Sequence, residues 1–392
     1  MTSISIAPPE TRATPAGVSR NLALDRARTF LTLVVLLHHA AIPYTHFGHT
    51  DPKSWIGFDA VVLATDSFFM AMFFFLSGLF VWPSLHHKSA GSFFRDRLLR
   101  LGLPFAIAAF TVIPVAYYAI ELRDHPATGF AEFWWRMVTL GPWPSGPLWF
   151  VWVLLVFDLT ASLLYRISPD FLDLLHRLSL GSFEQPGVFF LFLVAMTAFV
   201  YVPSRLWFGV NHWLEWGPFS VQASRVLLYV AYFYIGAAVG AGGFERGLLS
   251  TEGKLAKSSW GWAIATLIPY CGLWGLIFIK REILGNPDPL PHWYEATYGL
   301  LLVIFSAGMM FTILAFFLRF KRGGWSVLDP MQKDAYGIFL VHYAFALWIQ
   351  YWLYDVDMPA IIKVLAGFAF TLASSWALTA ALRRIPGATR VL

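Results

Sequence analysis

With 392 residues, 58% of them hydrophobic, 18% aromatic and only 13% charged, and a mean hydropathy of +0.61, the chain is far from the balance of a water-soluble domain and reads as an integral membrane protein. Its apolar runs have helix length and no period-two alternation, which excludes a β-barrel. The net charge of +5 needs no nucleic-acid partner, because basic loops that orient a membrane protein supply it.

Residues 1–21 carry Pro, Thr, Ser and Ala without an apolar stretch, so they are expected to form a disordered cytoplasmic tail and not a signal peptide. Ten spans follow, near 26–44, 59–82, 101–121, 147–165, 187–204, 222–241, 259–279, 296–318, 334–354 and 360–382. The expected fold is an all-α polytopic membrane helix bundle of about ten transmembrane helices, with residues 22–385 as one membrane domain and 386–392 as a C-terminal tail. An even number of spans puts both termini on one side. With that side cytoplasmic, 20 of the 28 basic residues fall in cytoplasmic segments, as the positive-inside rule requires of a multi-pass inner-membrane protein. The outer loops 46–58, 123–147 and 280–295 are rich in Trp, Tyr, Pro and Gly, which suits interfacial anchoring and a sugar-facing surface. Cys271 lies in an apolar run with no second cysteine, and packing is its expected role.

The first span carries the sharpest signal. In LDRARTFLTLVVLLHHA, residues 24–40, Arg28 and His39 are eleven positions apart. At ~100° per residue they share one helix face, ~16 Å apart along the axis. Arg28 thus belongs near the cytosolic interface and His39 towards mid-membrane, with Thr32 and Val35 between them on the same stripe and Asp25 beside the guanidinium. An arginine at a helix mouth commonly snorkels, and a buried histidine commonly satisfies a core hydrogen bond. An ionisable group at membrane depth is costly unless it faces a wet cavity, however, and the intramembrane His39 shares its stripe with the arginine at the mouth. A guanidinium grips phosphates bidentately, and an imidazole removes a proton from a hydroxyl near neutral pH. Together they describe a site that holds a phosphorylated carrier at the cytosol and performs acid/base chemistry deeper in.

The same stretch resembles the start of the acyltransferase 3 family of multi-pass membrane acyltransferases, whose signature is an Arg, ten residues and a His in the first helix; Arg28 and His39 match it and His38 does not. FFFLSGLF at 73–80, RDRLLRLGLP at 95–104, PLWFVWVLLVF at 147–157 and DAYGIFLVHYA at 334–344 resemble later family segments in order, with Pro147 where many members have His. The LDxxR, RxxRxGxP and C-terminal RIP patterns are close to a glucan succinyltransferase branch. The resemblance implies an O-acyltransferase that moves an acetyl or succinyl group from cytosolic acyl-CoA to a hydroxyl of an envelope glycan, lipid or small molecule. Acyl-CoA then acts as co-substrate, with no tightly bound cofactor. His39 is the implied general base, its neutral form expected to work because lipid depth penalises a charge. Arg28, Arg97 and Arg100 are the implied dock for the donor phosphates, although Arg97 and Arg100 also serve as topology charges.

Weaker candidates are Asp66 and Ser77, again eleven apart on one helix, Asp158 in the fourth span, and Tyr336 and His342 in the ninth, where packing is the expected role. His86 and His87 have no acidic neighbour at metal spacing, and no metal site is expected. A secondary transporter or glycan flippase with proton-relaying His and Asp is the alternative reading, although no paired broken helices or two-half symmetry support it. A non-catalytic scaffold for envelope glycan assembly is a third.

Overall fold

The computed structural model describes residues 21–48, 50–168, 170, 185–244, 247–320 and 326–392. The expected tail, apart from Asn21, lies outside the described residues, as do the basic residues Arg12, Arg20, Arg177, Arg246, Lys321 and Arg322. Eight helical stretches, 56–87, 90–124, 146–167, 186–208, 223–241, 259–283, 292–319 and 360–382, are long and apolar enough to cross a membrane. Two expected spans do not reach that apolarity: helix α1 (Leu22–Ala41) and the helix at Ala335–Leu353. α1 carries Asp25, Arg26, Arg28 and two histidines, and Ala335–Leu353 carries His342, Gln350 and several tyrosines. These are the helices that hold the candidate chemistry, and other helices shelter them.

Asn21 caps α1 by accepting from the Ala23 and Leu24 amides. α2 (Ile56–Gly78) follows, then the short α3 (Val81–His87) and α4 (Ala90–Arg97). The third expected span is longer than predicted: α4 passes through a π turn at Leu98–Gly102 into α5 (Leu103–Phe110) and α6 (Val112–Asp124). The widening precedes Pro104, which has no N–H for the helix ladder. The expected loop 123–147 contains a helix, α7 (Phe130–Leu140), with Phe133 and Met137 buried and Trp135 and Leu140 exposed, a pattern suited to lying along an interface. After α8 (Trp149–Ile167) and α9 (Pro186–Phe208) comes an antiparallel hairpin absent from the sequence reading, β1 (Trp213–Trp216) paired with β2 (Phe219–Gln222), with Trp213 opposite Gln222. α10 (Val226–Ala241), α11 (Ser259–Phe278), α12 (His292–Arg319), α13 (Ala335–Leu353) and α14 (Ala360–Leu382) complete the bundle.

α2 and α10 pack in direct backbone contact. A Cβ at Gly236 would lie 2.3 Å from the Phe75 carbonyl oxygen, and one at Gly240 would lie 2.0 Å from that of Leu79. Small residues four apart permit this approach where lipid gives helices no hydrophobic drive to associate. Cross-helix hydrogen bonds add to it, including Tyr232 to Ser306 at 3.1 Å and Tyr270 to the Ala60 carbonyl at 2.8 Å.

Segments expected on one face meet on one face. At the basic end Arg26 grips Asp329 with two 2.8 Å bonds, Arg383 meets Asp334 at 3.2 Å, and the Asn21 side chain donates to the Phe244 carbonyl. At the opposite end buried Lys363 pairs with buried Asp51 at 2.9 Å and donates to the Tyr354 carbonyl. Lys53 there bonds Asp357, holding that carboxyl below its ordinary range. Asn21, bonded to the Phe244 carbonyl, and Leu392, beside Arg28 and Arg390, both lie at the basic end.

Candidate active site

α1 presents Arg28 and His39 to different cavities. Arg28 lines one of about 390 Å³ at the basic end, together with Asp25, Thr32, Ser77, Arg97 and Arg100. The three arginines that the family resemblance singles out are therefore brought together. Arg28 donates to the Leu76 carbonyl at 3.2 Å, and its guanidinium lies 4.2 Å from the Phe80 ring centroid, so protein groups anchor it. Arg97 pairs with buried Asp158 of α8 at 3.1 Å.

Arg100 is placed by a backbone device. Pro104 cannot donate to the Arg100 carbonyl four residues earlier, and the Tyr336 hydroxyl fills the gap with a 2.7 Å bond. Tyr336 thus locks α13 to the π turn beside the arginines. No described residue bonds the Arg100 side chain, which is exposed.

His39 lines two other cavities: one of about 410 Å³ with His38, Asp66, Arg225 and Tyr343, and one of about 160 Å³ with Asp51, Arg123, Gln350 and Tyr354 at the opposite end. Among the described residues, Arg28 and His39 line no common cavity of those that hold them. Phe339 stands in the wall of both the Arg28 cavity and the larger His39 cavity, packed 6.1 Å from Phe73 and 5.7 Å from Phe150 by ring centroids. The partition arises because three apolar rings from α2, α8 and α13 converge where the shared face of α1 passes mid-bundle.

The hydrogen bonds around His39 assign its tautomer. His342, fully buried, donates from Nδ1 to the Phe339 carbonyl at 2.6 Å, so its Nε2 carries a lone pair. His39 Nδ1 lies 2.9 Å from the Val35 carbonyl and 3.3 Å from His342 Nε2. Both partners accept, so Nδ1 bears the proton. His39 Nε2, which no described residue bonds, is left as a free base. Gln350 donates to the His39 carbonyl at 2.8 Å and the Tyr343 ring sits 5.1 Å away, fixing the end of α1 against α13. His38 is used differently: its Nδ1 meets Thr65 Oγ1 at 2.8 Å, and that hydroxyl donates on to the Val61 carbonyl.

Asp66 and Ser77, paired by spacing, part company. Ser77 lines the Arg28 cavity, whereas Asp66 forms a two-pronged ion pair with Arg225, at 2.5 and 3.2 Å, in the His39 cavity. Arg225 escaped the sequence reading, which counted it only among outer basic residues. Its signal was a cation near the start of the expected span 222–241. The hairpin contributes Trp213, Glu215 and Gln222 to the same cavity, alongside Trp149 and Tyr229. Among the described residues no group of three or more His, Cys, Asp or Glu is arranged to hold a metal ion.

Residues 21–380 match the family model of an acyltransferase domain. Among curated relatives, Glucans biosynthesis protein C of Escherichia coli O6:K15:H31 (strain 536 / UPEC) is 20% identical over 346 residues, covering 85% of this chain and 84% of the relative. The protein of the same name from Shigella dysenteriae serotype 1 (strain Sd197) is 20% identical over 349 residues with the same coverage. No solved structure matches the chain significantly.

Proposed function

The chain belongs to the acyltransferase family whose model spans residues 21–380, and from that membership we propose that it moves an acetyl or succinyl group from acyl-CoA to a hydroxyl of an envelope glycan or related acceptor. The observation that carries this reading is the free Nε2 of His39, a residue that lines cavities other than that of the arginine cluster. CoA is too polar to cross a bilayer, so its phosphates stay with Arg28, Arg97 and Arg100 at the cytoplasmic end while the pantetheine arm carries the thioester inward past Phe339. The acceptor enters from the opposite end. The indole and phenol faces of Trp149, Trp213 and Tyr229, with the carboxylates and amide of Asp66, Glu215 and Gln222, suit a sugar, which offers both C–H faces and hydroxyls.

His39 Nε2 takes the acceptor hydroxyl proton as that oxygen attacks the thioester carbonyl. The imidazolium formed is held through Nδ1–H by His342 Nε2 and the Val35 carbonyl. Collapse of the tetrahedral adduct breaks the carbon–sulfur bond, and the same proton passes from His39 to the departing CoA thiolate. The ester stays on the acceptor, and the imidazole returns to its starting tautomer. The setting proposed for this reaction is the inner membrane, with both termini cytoplasmic.

The test uses purified protein in lipid nanodiscs, supplied with acetyl- or succinyl-CoA and a soluble glucan, with free thiol and acylated glucan both measured. His39→Ala is expected to lower transfer at least ~100-fold, the contribution of a positioned base, while the protein still inserts and melts as before. Full transfer by His39→Ala removes the base assignment. Transfer that proceeds without thiol release removes acyl-CoA as donor.

A further inference from the structure

The C-terminal segment, expected to be a simple tail, is built into the arginine cavity. Gly387, at φ +86°, turns the chain back after α14, a conformation open to glycine and strained for other residues. Arg383 then pins the returning segment, which forms a 3-10 turn at Ala388–Arg390, by donating to the Leu392 carbonyl at 2.6 Å while pairing with Asp334. As a result Thr389–Leu392 line the same cavity as Arg28, Arg97 and Arg100. The Arg390 side chain is exposed, and no described residue bonds it.

Charge makes this placement consequential. Asp25 lines the cavity and Asp158 pairs with Arg97, so by side chains alone three guanidiniums face two carboxylates and leave a single positive charge. A ligand bearing a pyrophosphate and a further phosphate monoester is poorly matched by one charge. Arg390 doubles it, on a 3-10 turn that the Arg383 bond to Leu392 holds in place.

We propose that Arg390 is a phosphate-binding residue of the donor site and that residues 386–392 form a strap across its aqueous rim. This inference rests on the reading of the cavity as the acyl-CoA dock. The strap closes over the adenosine end of the donor, where its arginine reaches a phosphate that Arg28, deeper along α1, does not.

The experiment is a titration of the full-length protein in nanodiscs with CoA and with dephospho-CoA, followed by calorimetry, with kcat and KM for the acyl-CoA measured in parallel. Arg390→Ala is expected to weaken CoA binding roughly tenfold, as loss of an exposed charge-assisted contact does, raising KM and leaving kcat unchanged. Arg390→Lys should recover part of the loss, and Gly387→Val, which dislodges the strap, should match Arg390→Ala. Unchanged or tighter CoA binding by Arg390→Ala, with wild type binding CoA, overturns the strap and leaves the donor dock standing. Failure of the wild-type protein to bind CoA at all overturns the dock and the strap with it.

Discussion

Replacing His342 by leucine isolates what a second histidine does for the first. The side chain is fully buried, and leucine approximates its bulk without a polar atom, so the bundle is expected to keep its fold. In the resting state the substitution removes one of two acceptors from His39 Nδ1–H, and the Val35 carbonyl at 2.9 Å keeps the ring oriented. The larger effect comes when His39 takes the acceptor proton, because the bond to His342 Nε2 is then made by an imidazolium. Hydrogen bonds to charged groups are worth about 1.5–3 kcal/mol, which corresponds to roughly 10- to 150-fold in rate. The interaction strengthens only as charge develops, so the loss is expected in kcat with KM nearly constant. Steady-state transfer kinetics in nanodiscs, paired with a thermal melt of each variant, measure both quantities. A His342→Leu enzyme with wild-type kcat, or one whose defect sits entirely in KM, would refute the tautomer assignment and the relay built on it.

Phe339→Ala removes the ring between the two cavities, so water should reach the thioester and thiol release should exceed acceptor acylation severalfold; tightly coupled turnover in a folded variant would show that the ring is no barrier. Lys363→Met leaves Asp51 charged in a buried site and is expected to cost about 3–5 kcal/mol of stability, with much of the loss recovered by Asp51→Leu in addition. Melting temperatures in detergent decide this, and a shift of under a degree for the single variant counts against the pair. Gly240→Val puts a side chain where a Cβ alone would be 2.0 Å from the Leu79 carbonyl, so the yield of folded protein should collapse, and normal yield and melting would contradict the close packing of α2 on α10.

Much of this arrangement was legible because lipid makes polar residues conspicuous. Arg28 and His39 stood out against an apolar run, and helical periodicity placed them on one face. The clustering of Arg97 and Arg100 with Arg28 followed from the family resemblance. Periodicity within one helix says nothing about side chains arriving from others, and so Phe339, contributed by α13 from 300 positions away, was invisible as a partition. The Asp66–Arg225 pair was hidden for the same reason, since its partners sit on α2 and just before α10. Tyr336 resembled a family position, yet its role emerges only when Pro104 is seen to orphan the Arg100 carbonyl. The hairpin at 213–222 gave little warning, being short, rich in tryptophan and free of strand-length alternation. The path of the tail was not legible, because a run of seven residues with Gly and Pro carries no sign of the surface that receives it.

The polarity of α1 and α13 bears on how the protein is made. A charged residue placed centrally costs about 2.5–3.5 kcal/mol at the translocon, and α1, the first described helix of the domain, has three near its leading end and two imidazoles behind them. Its hold on the bilayer is therefore weak until neighbours synthesised later shelter it. His342 lies 303 residues downstream of His39, so that length of chain must be synthesised before the two rings can touch. Until then the His39 imidazole has only the bond to the Val35 carbonyl of its own helix, and its second partner arrives with α13.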